Sequence, residues 1–468
     1  MSDDGLPAPQ RRRAVLVILL GIAVSVLDGT IMNLALPSIA RDLQASAAQS
    51  VWVVNAYQIA ILALLLPLAS LGDLLGYRRV YLGGMALFVL ASAVAMLAPN
   101  LGTLTGARAL QGLGAAGIMS VNAALVRRVY PRALLGRGIA LNSMVVATAA
   151  VAGPALAAVV LSVASWRWLF TLNLLLGALV FWLGWRALPA NTAAATAGTR
   201  IAPMDVLLNV LTFSLVFIGA DRLGVRGGGG ELPPDAVLML LAGLAVGFFY
   251  IRRQRTRVAP LFPVDLLQLP VFALSMGASV GAFCAQMLAY VALPFLLLEA
   301  LGLTPLKAGL LIAAWPLAIM VVAPLAGRLI DRVPAGLLGG LGMLLLAAGL
   351  ALLAALPERP ADIELAWRLA LCGLGFGLFQ SPNNHTILTT PPPQRSGAAS
   401  GMLGTARLTG QTLGAVLAAL LFSLWTPHES QFGTDLALAL SALFALASGV
   451  CSVLRVLATA RTERSGRD

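Results

Sequence analysis

ASLGDLLGYRRV, at residues 69–80, returns in altered form as AGRLIDRVPAG at residues 326–336. In each copy an apolar run ends in an aspartate that is followed by arginine. The two aspartates, Asp73 and Asp331, are 258 residues apart (331 minus 73). A pattern that returns after about half the chain length is typical of membrane proteins built from two related halves. We therefore expect two halves with the same internal arrangement.

The composition around these two segments indicates a membrane protein. Hydrophobic residues make up 59% of the 468 residues, charged residues 11%, and the mean hydropathy is +0.90, whereas soluble domains carry about 25% charged residues. The apolar runs are long enough, at about 18 to 25 residues, to cross a hydrocarbon core of about 30 Å as helices. The sequence predicts an all-α integral membrane protein with fourteen transmembrane helices, at 14–38, 51–71, 80–98, 103–125, 138–162, 167–187, 205–221, 236–252, 271–298, 306–327, 335–356, 366–388, 397–424 and 434–457.

The net charge of +12 does not indicate a nucleic-acid partner, because the arginines lie in short clusters between the predicted spans rather than on one basic face. Most of them fall in alternate loops, beginning with Arg11–Arg13. The positive-inside rule then places both termini in the cytoplasm of a bacterial-type inner (plasma) membrane. The three cysteines lie in predicted spans and indicate neither disulfides nor a metal site. No phosphate-binding GxxxxGK[ST] segment and no other enzyme signature is present, so we expect no cofactor and no enzymatic activity.

Several motifs resemble those of the major facilitator superfamily, and within it those of the fourteen-span drug:proton antiporter branch. They also occur in the same order along the chain as in that branch. The loop at 69–80 is similar to GxLxDxxGxR/K, with Ala69 in place of the first glycine. The others are LDGTIMNLALP (27–37), RALQGLGAAG (108–117), AGPALAA (152–158), WRWLFTLN (166–173) and SPNNHTILTTPPPQRSGAASGMLGTARLTGQ (381–411). AGPALAA departs from the antiporter motif GPxxGG, since Ala157 and Ala158 replace two glycines.

The resemblance implies the major facilitator fold, with two six-helix bundles plus two extra central spans. We expect an N-terminal bundle at residues 1–187, a linker with two additional helices at 188–270, a C-terminal bundle at 271–457, and a cytoplasmic tail at 458–468. The segment PLFPVDLLQLPVF (260–272) is similar to the start of the second half in that branch.

The duplicated loop and a glycine-proline pair are candidate parts of the conformational machinery. Asp73 can bond the N-terminal amides of a neighbouring helix while arginines face the cytoplasm, which would form a breakable latch. Gly153-Pro154 removes an amide donor and bends its span, and the resemblance implies a hinge there. The alternatives are a charge cluster that only sets topology and a plain proline kink. The gating candidates are Asp73, Gly76, Arg78, Arg79, Gly153, Pro154, Asp331 and Arg332.

Asp28 and Arg108 are the candidate proton-coupling residues. A carboxylate in an apolar span costs at least about 2.5 kcal/mol on insertion scales, so Asp28 must face a cavity or a partner. Burial disfavours its charged form and a nearby cation favours it, so the group can load and release a proton. If their spans are neighbours, Asp28 and Arg108 can meet, and the resemblance links the matching positions to proton coupling. The alternative is a static buried ion pair that fixes helix register.

Aromatic, polar uncharged and flexible side chains within the spans are candidate substrate contacts, although each could instead form an interhelical hydrogen bond. Arg407 could neutralise an anionic substrate group, pair with an acid, or bond free carbonyls. The candidates are Asn33, Tyr57, Gln58, Asn142, Met144, Gln286, Tyr290, Trp315, Gln380, Asn383, Asn384 and Arg407.

These observations lead to one functional expectation and two alternatives. We expect a proton-coupled secondary transporter that exports lipophilic, cationic drugs or biocides by alternating access, with a small molecule, protons and the lipid bilayer as partners, and a monomeric state. The nearer alternative is a transporter of the same fold for one physiological solute, such as a siderophore, lipid or metabolite. The other is a membrane enzyme or sensor on the same scaffold.

Overall fold

The computed structural model describes residues 5–131, 134–190, 202–223, 233–257, 260–330, 332–357, 360–392, 395–424 and 430–465. These residues form α-helices and contain no β-strand, so the all-α prediction is confirmed. The helices are α1 (Ala8–Asp42), α2 (Ala47–Ser50), α3 (Trp52–Leu75), α4 (Tyr77–Met96), α5 (Leu101–Val129), α6 (Leu135–Val163), α7 (Arg167–Ala187), α8 (Pro203–Arg222), α9 (Pro234–Gln254), α10 (Pro270–Phe295), α11 (Pro305–Leu329), α12 (Ala335–Ala354), α13 (Asp362–Thr389), α14 (Ser396–Leu424) and α15 (Ser430–Ser465).

Among the described residues, thirteen helical segments are long and apolar enough to cross a membrane. One of them joins α2 and α3 into Ala47–Leu75. The helix missing from this set is α13, which has 28 residues but carries Asp362, Glu364 and Arg368 in its first turns and a polar run at 380–385. A multi-pass membrane protein is therefore established, whereas the count of fourteen spans stays a prediction.

Several helices extend beyond the predicted boundaries, two of them by six residues or more at one end. The first begins at Ala8 rather than at residue 14, and so includes the arginines at 11–13. Helix α15 continues to Ser465, through most of the segment that we predicted as a tail. Hydropathy misses both ends because arginine is a good helix former, and its long side chain can extend from an apolar helix towards water.

The described helices fall into two compact units, which we treat separately. Unit 1 comprises Met1–Ser46, Trp52–Val216 and Ala242–Tyr250, and unit 2 comprises Ala47–Val51, Phe217–Leu241 and Ile251–Asp468. In unit 1, α5 packs against α3 and α4, α4 packs against α7, and α1 packs against α6. In unit 2, α13 packs against α11 and α12, α12 packs against α15, and α10 packs against α14. The two sets of pairings correspond helix for helix.

The correspondence extends to individual glycines. In unit 1, Gly112 of α5 packs against the backbone carbonyl of Tyr57 in α3, so closely that a Cβ at position 112 would collide with it. In unit 2, Gly373 of α13 lies directly on the backbone carbonyl of Trp315 in α11. Trp315 follows Tyr57 by 258 residues (315 minus 57), the interval already seen between the two aspartates of the loop motif, and Gly373 follows Gly112 by 261 (373 minus 112). Equivalent contacts thus recur at nearly the same interval in the two units, as the predicted relation between the halves requires.

The same register relates α1 to α10. Gly153 of α6 packs against Thr30 of α1, and Gly414 of α14 packs between Cys284 and Leu288 of α10. Leu288 follows Thr30 by 258 residues (288 minus 30), and Gly414 follows Gly153 by 261 (414 minus 153). Positions in α1 and α3 thus have their equivalents 258 residues later, and positions in α5 and α6 have theirs 261 residues later.

Gly373→Ala is expected to destabilise the protein strongly. A Cβ at this position would collide with the Trp315 carbonyl oxygen, which belongs to the helix backbone and cannot move aside. Overpacking of this kind costs about 1–3 kcal/mol or more. The matched control is Gly277→Ala in α10, where no atom lies within 4 Å of the added Cβ, and where alanine favours the helix by about 0.5–1 kcal/mol. Thermal unfolding in detergent should separate the two variants, and equal melting temperatures would contradict the packing described above.

Candidate functional site

Asp28 and Arg108 form an ion pair in the interior of unit 1. Arg108 Nη1 lies 2.6 Å from Asp28 Oδ2, and the exposed fractions of the two side chains are 1% and 0%. Asp28 is contributed by α1, and Arg108 by the second turn of α5. The structure therefore brings together the two side chains that the sequence suggested could meet.

Uncharged amides complete the hydrogen bonding of the carboxylate. Asn173 of α7 donates to Asp28 Oδ1 at 2.6 Å, and Gln111 of α5 donates to the same oxygen at 3.2 Å. Gln111 Oε1 accepts from Arg108 Nη1 at 2.6 Å, and Gln111 Nε2 also donates to Ser92 Oγ of α4 at 2.9 Å. The network thus joins four helices of unit 1 around one carboxylate, as a buried polar group requires.

Arg108 has further contacts that do not depend on Asp28. Its Nε donates to the Val53 carbonyl of α3 at 2.9 Å. Its guanidinium carbon lies 4.1 Å from the centroid of the Tyr57 ring, which is a cation–π geometry. Tyr57 is itself held by its hydroxyl, which donates to the Ser25 carbonyl of α1 at 3.1 Å. Arg108 would therefore remain anchored if Asp28 lost its charge.

This arrangement can support a switch in protonation. A buried ion pair gains little net stability over an apolar pair, but removing one partner leaves an uncompensated charge and is strongly unfavourable. A proton bound by Asp28 removes its charge while leaving oxygen atoms that can still accept from Asn173 and Gln111. Arg108 then keeps its bonds to Gln111 and to the Val53 carbonyl. Both protonation states can therefore be accommodated in one folded unit.

The predicted hinge lies beside this pair. Gly153 of α6 packs against Thr30, so closely that a side chain at position 153 would meet the Thr30 hydroxyl. Thr30 lies two residues after Asp28, and its hydroxyl lies within hydrogen-bond distance of the carbonyls of Val26 and Leu27, at 3.2 and 3.0 Å. A movement of α6 at Gly153-Pro154 would therefore act on α1 next to Asp28. The hinge role itself stays a prediction.

The residues of the predicted latch have partners inside unit 1. Asp73, at the end of α3, accepts a hydrogen bond from the Tyr77 hydroxyl at 2.6 Å. Gly76 separates α3 from α4 with a φ of 94°, a conformation that glycine adopts without strain. Arg78 donates to the Trp185 carbonyl at the end of α7. Arg79 and Arg332 are exposed, and Asp331 lies outside the described residues. The latch remains a prediction, and the observed contacts join α3, α4 and α7.

The candidate substrate contacts of unit 1 are dispersed. Tyr57 belongs to the Arg108 site described above. Asn33 and Gln58 are buried, and Asn142 accepts a hydrogen bond from Asn122 at 2.9 Å. Met144 is 59% exposed. Within the described part of unit 1, Tyr57 is the one member of this set among the side chains that contact the ion pair.

In unit 2, three of the candidates are neighbours. The Tyr290 ring of α10 meets the Trp315 ring of α11 edge to face, with centroids 5.0 Å apart, and Gln286 is hydrogen-bonded to Tyr290. Arg407 of α14 lies farther along α10, with its guanidinium carbon 5.9 Å from the Phe283 ring centroid. Gln380 and Asn384 are half-buried on α13.

Asn383 belongs to a second polar network, around Arg455. Asn383 Oδ1 accepts from Arg455 Nη1 at 2.6 Å, and its Nδ2 donates to Ser279 Oγ at 2.7 Å. Arg455 also donates to Ser275 Oγ at 3.0 Å and to Ser452 Oγ at 2.6 Å, and is 2% exposed. The position of Arg455 at the cytoplasmic end of the last predicted span favours a solvent-facing side chain, whereas the structure buries it. The amide of Asn383 is therefore engaged within the protein.

Sequence reasoning missed Gln111, Asn173 and Arg455 as members of these networks, although each left a signal. Gln111 and Asn173 are polar residues within predicted spans and lie inside the motifs RALQGLGAAG and WRWLFTLN. Ser448, Ser452 and Arg455 recur at helical spacing along the last span, which places them on one face of α15.

Comparison with known proteins agrees with this architecture. Residues 18–415 match the sequence pattern of the Major Facilitator Superfamily. The chain is 50% identical over 456 residues to the uncharacterized transporter YebQ of Escherichia coli (strain K12), covering 97% of this chain and 98% of that protein. It is 27% identical to the riboflavin transporter RibZ of Clostridioides difficile (strain 630), covering 97% and 99%. It is 32% identical to the multidrug resistance protein Stp of Mycobacterium tuberculosis (strain CDC 1551 / Oshkosh), covering 87% and 76%.

Proposed function

The chain belongs to the major facilitator superfamily, and from that premise we propose that it is a proton-coupled exporter of lipophilic drugs or biocides that works by alternating access. It is a multi-pass membrane transporter by family rather than an enzyme. We further propose a bacterial inner-membrane location with both termini in the cytoplasm, and a monomeric state.

The observation that carries the proposal is the buried pair of Asp28 and Arg108. Intramembrane acids are rare, and they mark ion or proton pathways more often than packing. When Asp28 binds a proton, the Coulombic attraction to Arg108 is lost, and the contact between α1 and α5 is weakened at this point. When Asp28 releases the proton, the pair forms again and holds the two helices together.

Export of drugs is supported by relatives rather than by the geometry of the site. Stp is named as a multidrug resistance protein and is 32% identical to this chain over 419 residues. The energetics are sufficient, because the membrane potential contributes about 2.3 kcal/mol per charge per 100 mV. At about 1.4 kcal/mol per tenfold ratio, that potential and a pH gradient together can sustain a ratio of about a hundredfold.

A second candidate is a transporter of the same fold for one physiological solute. It is favoured by the match to RibZ, which is named as a transporter of one solute, riboflavin, and the match covers nearly the whole of both chains. The two candidates differ in range, since a drug exporter accepts many unrelated lipophilic compounds and a solute carrier accepts one. The sensitivity of a deletion strain to dyes and biocides separates them.

The test of the proposed function uses purified protein in proteoliposomes that contain a pH-sensitive dye. With an imposed pH gradient, acidic inside, addition of a transported lipophilic compound should accelerate loss of protons from the lumen. The compound should accumulate in the lumen at the same time. Accumulation that is unaffected when a protonophore collapses the gradient would contradict proton coupling, and absence of transport for every compound in a broad panel would contradict drug export.

A further inference from the structure

One face of α10 in unit 2 carries aromatic and polar side chains at helical spacing. Phe283, Gln286 and Tyr290 lie three and four residues apart, so they share this face. The Phe283 ring meets the Phe376 ring of α13 edge to face at 5.3 Å, and the Tyr290 ring meets Trp315 of α11 in the same way at 5.0 Å. We call these five side chains the aromatic face of unit 2. Along α10 it extends over about 10 Å, from residue 283 to residue 290, and its members are buried apart from the half-buried Tyr290.

The aromatic face contains a buried hydrogen-bond donor with no acceptor. Trp315 is 0% exposed, and its indole Nε1–H has no hydrogen-bond partner within the described residues. Buried indole N–H groups usually find a partner, because leaving such a group unpaired is unfavourable. An acceptor on a bound molecule would satisfy Trp315.

Comparison of the two units shows that this face takes the place of the ion pair. By the register of 258 residues, Gln286 stands at the position of Asp28, and Trp315 at the position of Tyr57. By the register of 261 residues, the buried Leu369 stands at the position of Arg108. Unit 2 has therefore replaced both charges with neutral side chains at the positions where unit 1 holds its buried pair.

The charges near the aromatic face are unfavourable for a cation. Arg407 lies over Phe283, with its guanidinium carbon 5.9 Å from the ring centroid. The sequences of α10, α11 and α14 contain no acidic residue, and those of α13 lie in its first turn, at Asp362 and Glu364. Asp362 is already paired with Lys307 at 2.8 Å. On these four helices, a positively charged ligand would therefore meet Arg407 and no acidic side chain beyond the first turn of α13.

We propose that the aromatic face of unit 2 binds a planar aromatic substrate through ring contacts, with the Trp315 N–H donating to an uncharged or negatively charged acceptor on that substrate. This inference rests on the proposed function and narrows it, since it replaces the cationic class expected from sequence with acceptor-bearing aromatics. It also assigns a different role to each unit, because unit 1 contains the proton site and unit 2 binds the substrate.

The test is equilibrium binding to the full-length protein in lipid nanodiscs without a pH gradient, measured by fluorescence anisotropy. The probes are fluorescein, a planar aromatic anion with acceptor oxygens, and ethidium, a planar aromatic cation. Wild-type protein should bind fluorescein more tightly than ethidium. Trp315→Phe, which keeps the ring and removes the N–H, should weaken fluorescein binding about tenfold, the effect of one lost hydrogen bond, and leave ethidium unchanged.

Trp168→Phe is the matched control, because Trp168 is 59% exposed on α7 of unit 1, and it should change neither affinity. The inference would be overturned if the wild type bound ethidium more tightly or did not bind fluorescein. It would also be overturned if Trp315→Phe left the affinity for both probes unchanged or weakened both equally. If Trp315→Phe does not fold, the wild-type preference and an Arg407→Gln variant, which should lose fluorescein selectively, decide instead. Equilibrium binding of the probes does not depend on proton coupling. If the protein binds the probes as expected but moves no protons in liposomes, the proposed function is refuted and the inference on the aromatic face stands.

Discussion

Asp28→Asn is expected to abolish proton-coupled transport, by about a hundredfold or more, in a protein that still folds. The amide keeps an oxygen that can accept from Arg108, while it cannot bind or release a proton near neutral pH. Arg108 retains its bonds to Gln111 and the Val53 carbonyl and its contact with the Tyr57 ring. The measurement is substrate accumulation driven by a pH gradient in proteoliposomes, together with a thermal unfolding curve.

The matched control is Asp42→Asn, the same chemical change on the same helix. Asp42 is 47% exposed and pairs with Arg167 at 2.5 Å. Exposed pairs of this kind contribute about 0–1 kcal/mol, so we expect near wild-type transport. If Asp28→Asn transports as well as Asp42→Asn under the same gradient, then Asp28 is a static structural group.

The second large effect concerns stability. Arg108→Leu should destabilise the protein by about 3–5 kcal/mol, because it leaves the Asp28 carboxylate buried without its cation. The double variant Asp28→Gln with Arg108→Leu should recover most of that loss. It gives unit 1 the residues that unit 2 carries at the equivalent positions, Gln286 and Leu369, in a bundle of the same packing. Thermal unfolding in detergent measures both.

The double variant should be folded and devoid of proton-coupled transport. This combination distinguishes a proton site from a structural pair, because restored stability without restored coupling assigns the two charges to function. A double variant that is no more stable than Arg108→Leu would mean that the two units do not share the register given above. Restored transport would mean that the pair is dispensable for coupling.

Much of the site was accessible from the sequence because a charge in an apolar span is so unfavourable. Asp28 and Arg108 each needed a partner, and few residues in the spans could provide one. The relation between the halves was also visible, since the 258-residue interval between Asp73 and Asp331 returns between Tyr57 and Trp315, whose carbonyls both contact a glycine.

The neutral partners were not accessible in the same way. Gln111 and Asn173 complete the site only because α5 and α7 are rotated so that these amides face Asp28. In a span that is apolar all round, hydropathy does not define the rotation of the helix. Arg455 shows the same limit, because its position near a span end indicated a solvent-facing cation, whereas its partners on α10 and α13 bury it. Helix α13 is a different case. It has 28 residues, but its polar run lowers its hydropathy, so that hydropathy alone does not identify it as a span.

The most direct test of the account is the proton balance of the binding step itself. Purified protein in weakly buffered detergent solution receives a saturating dose of a transported substrate, and a pH indicator follows protons released to the medium. The account predicts release by the wild type and by Asp42→Asn, and none by Asp28→Asn at the same substrate occupancy. Equal release from Asp28→Asn would contradict it, because the proton would then come from another group.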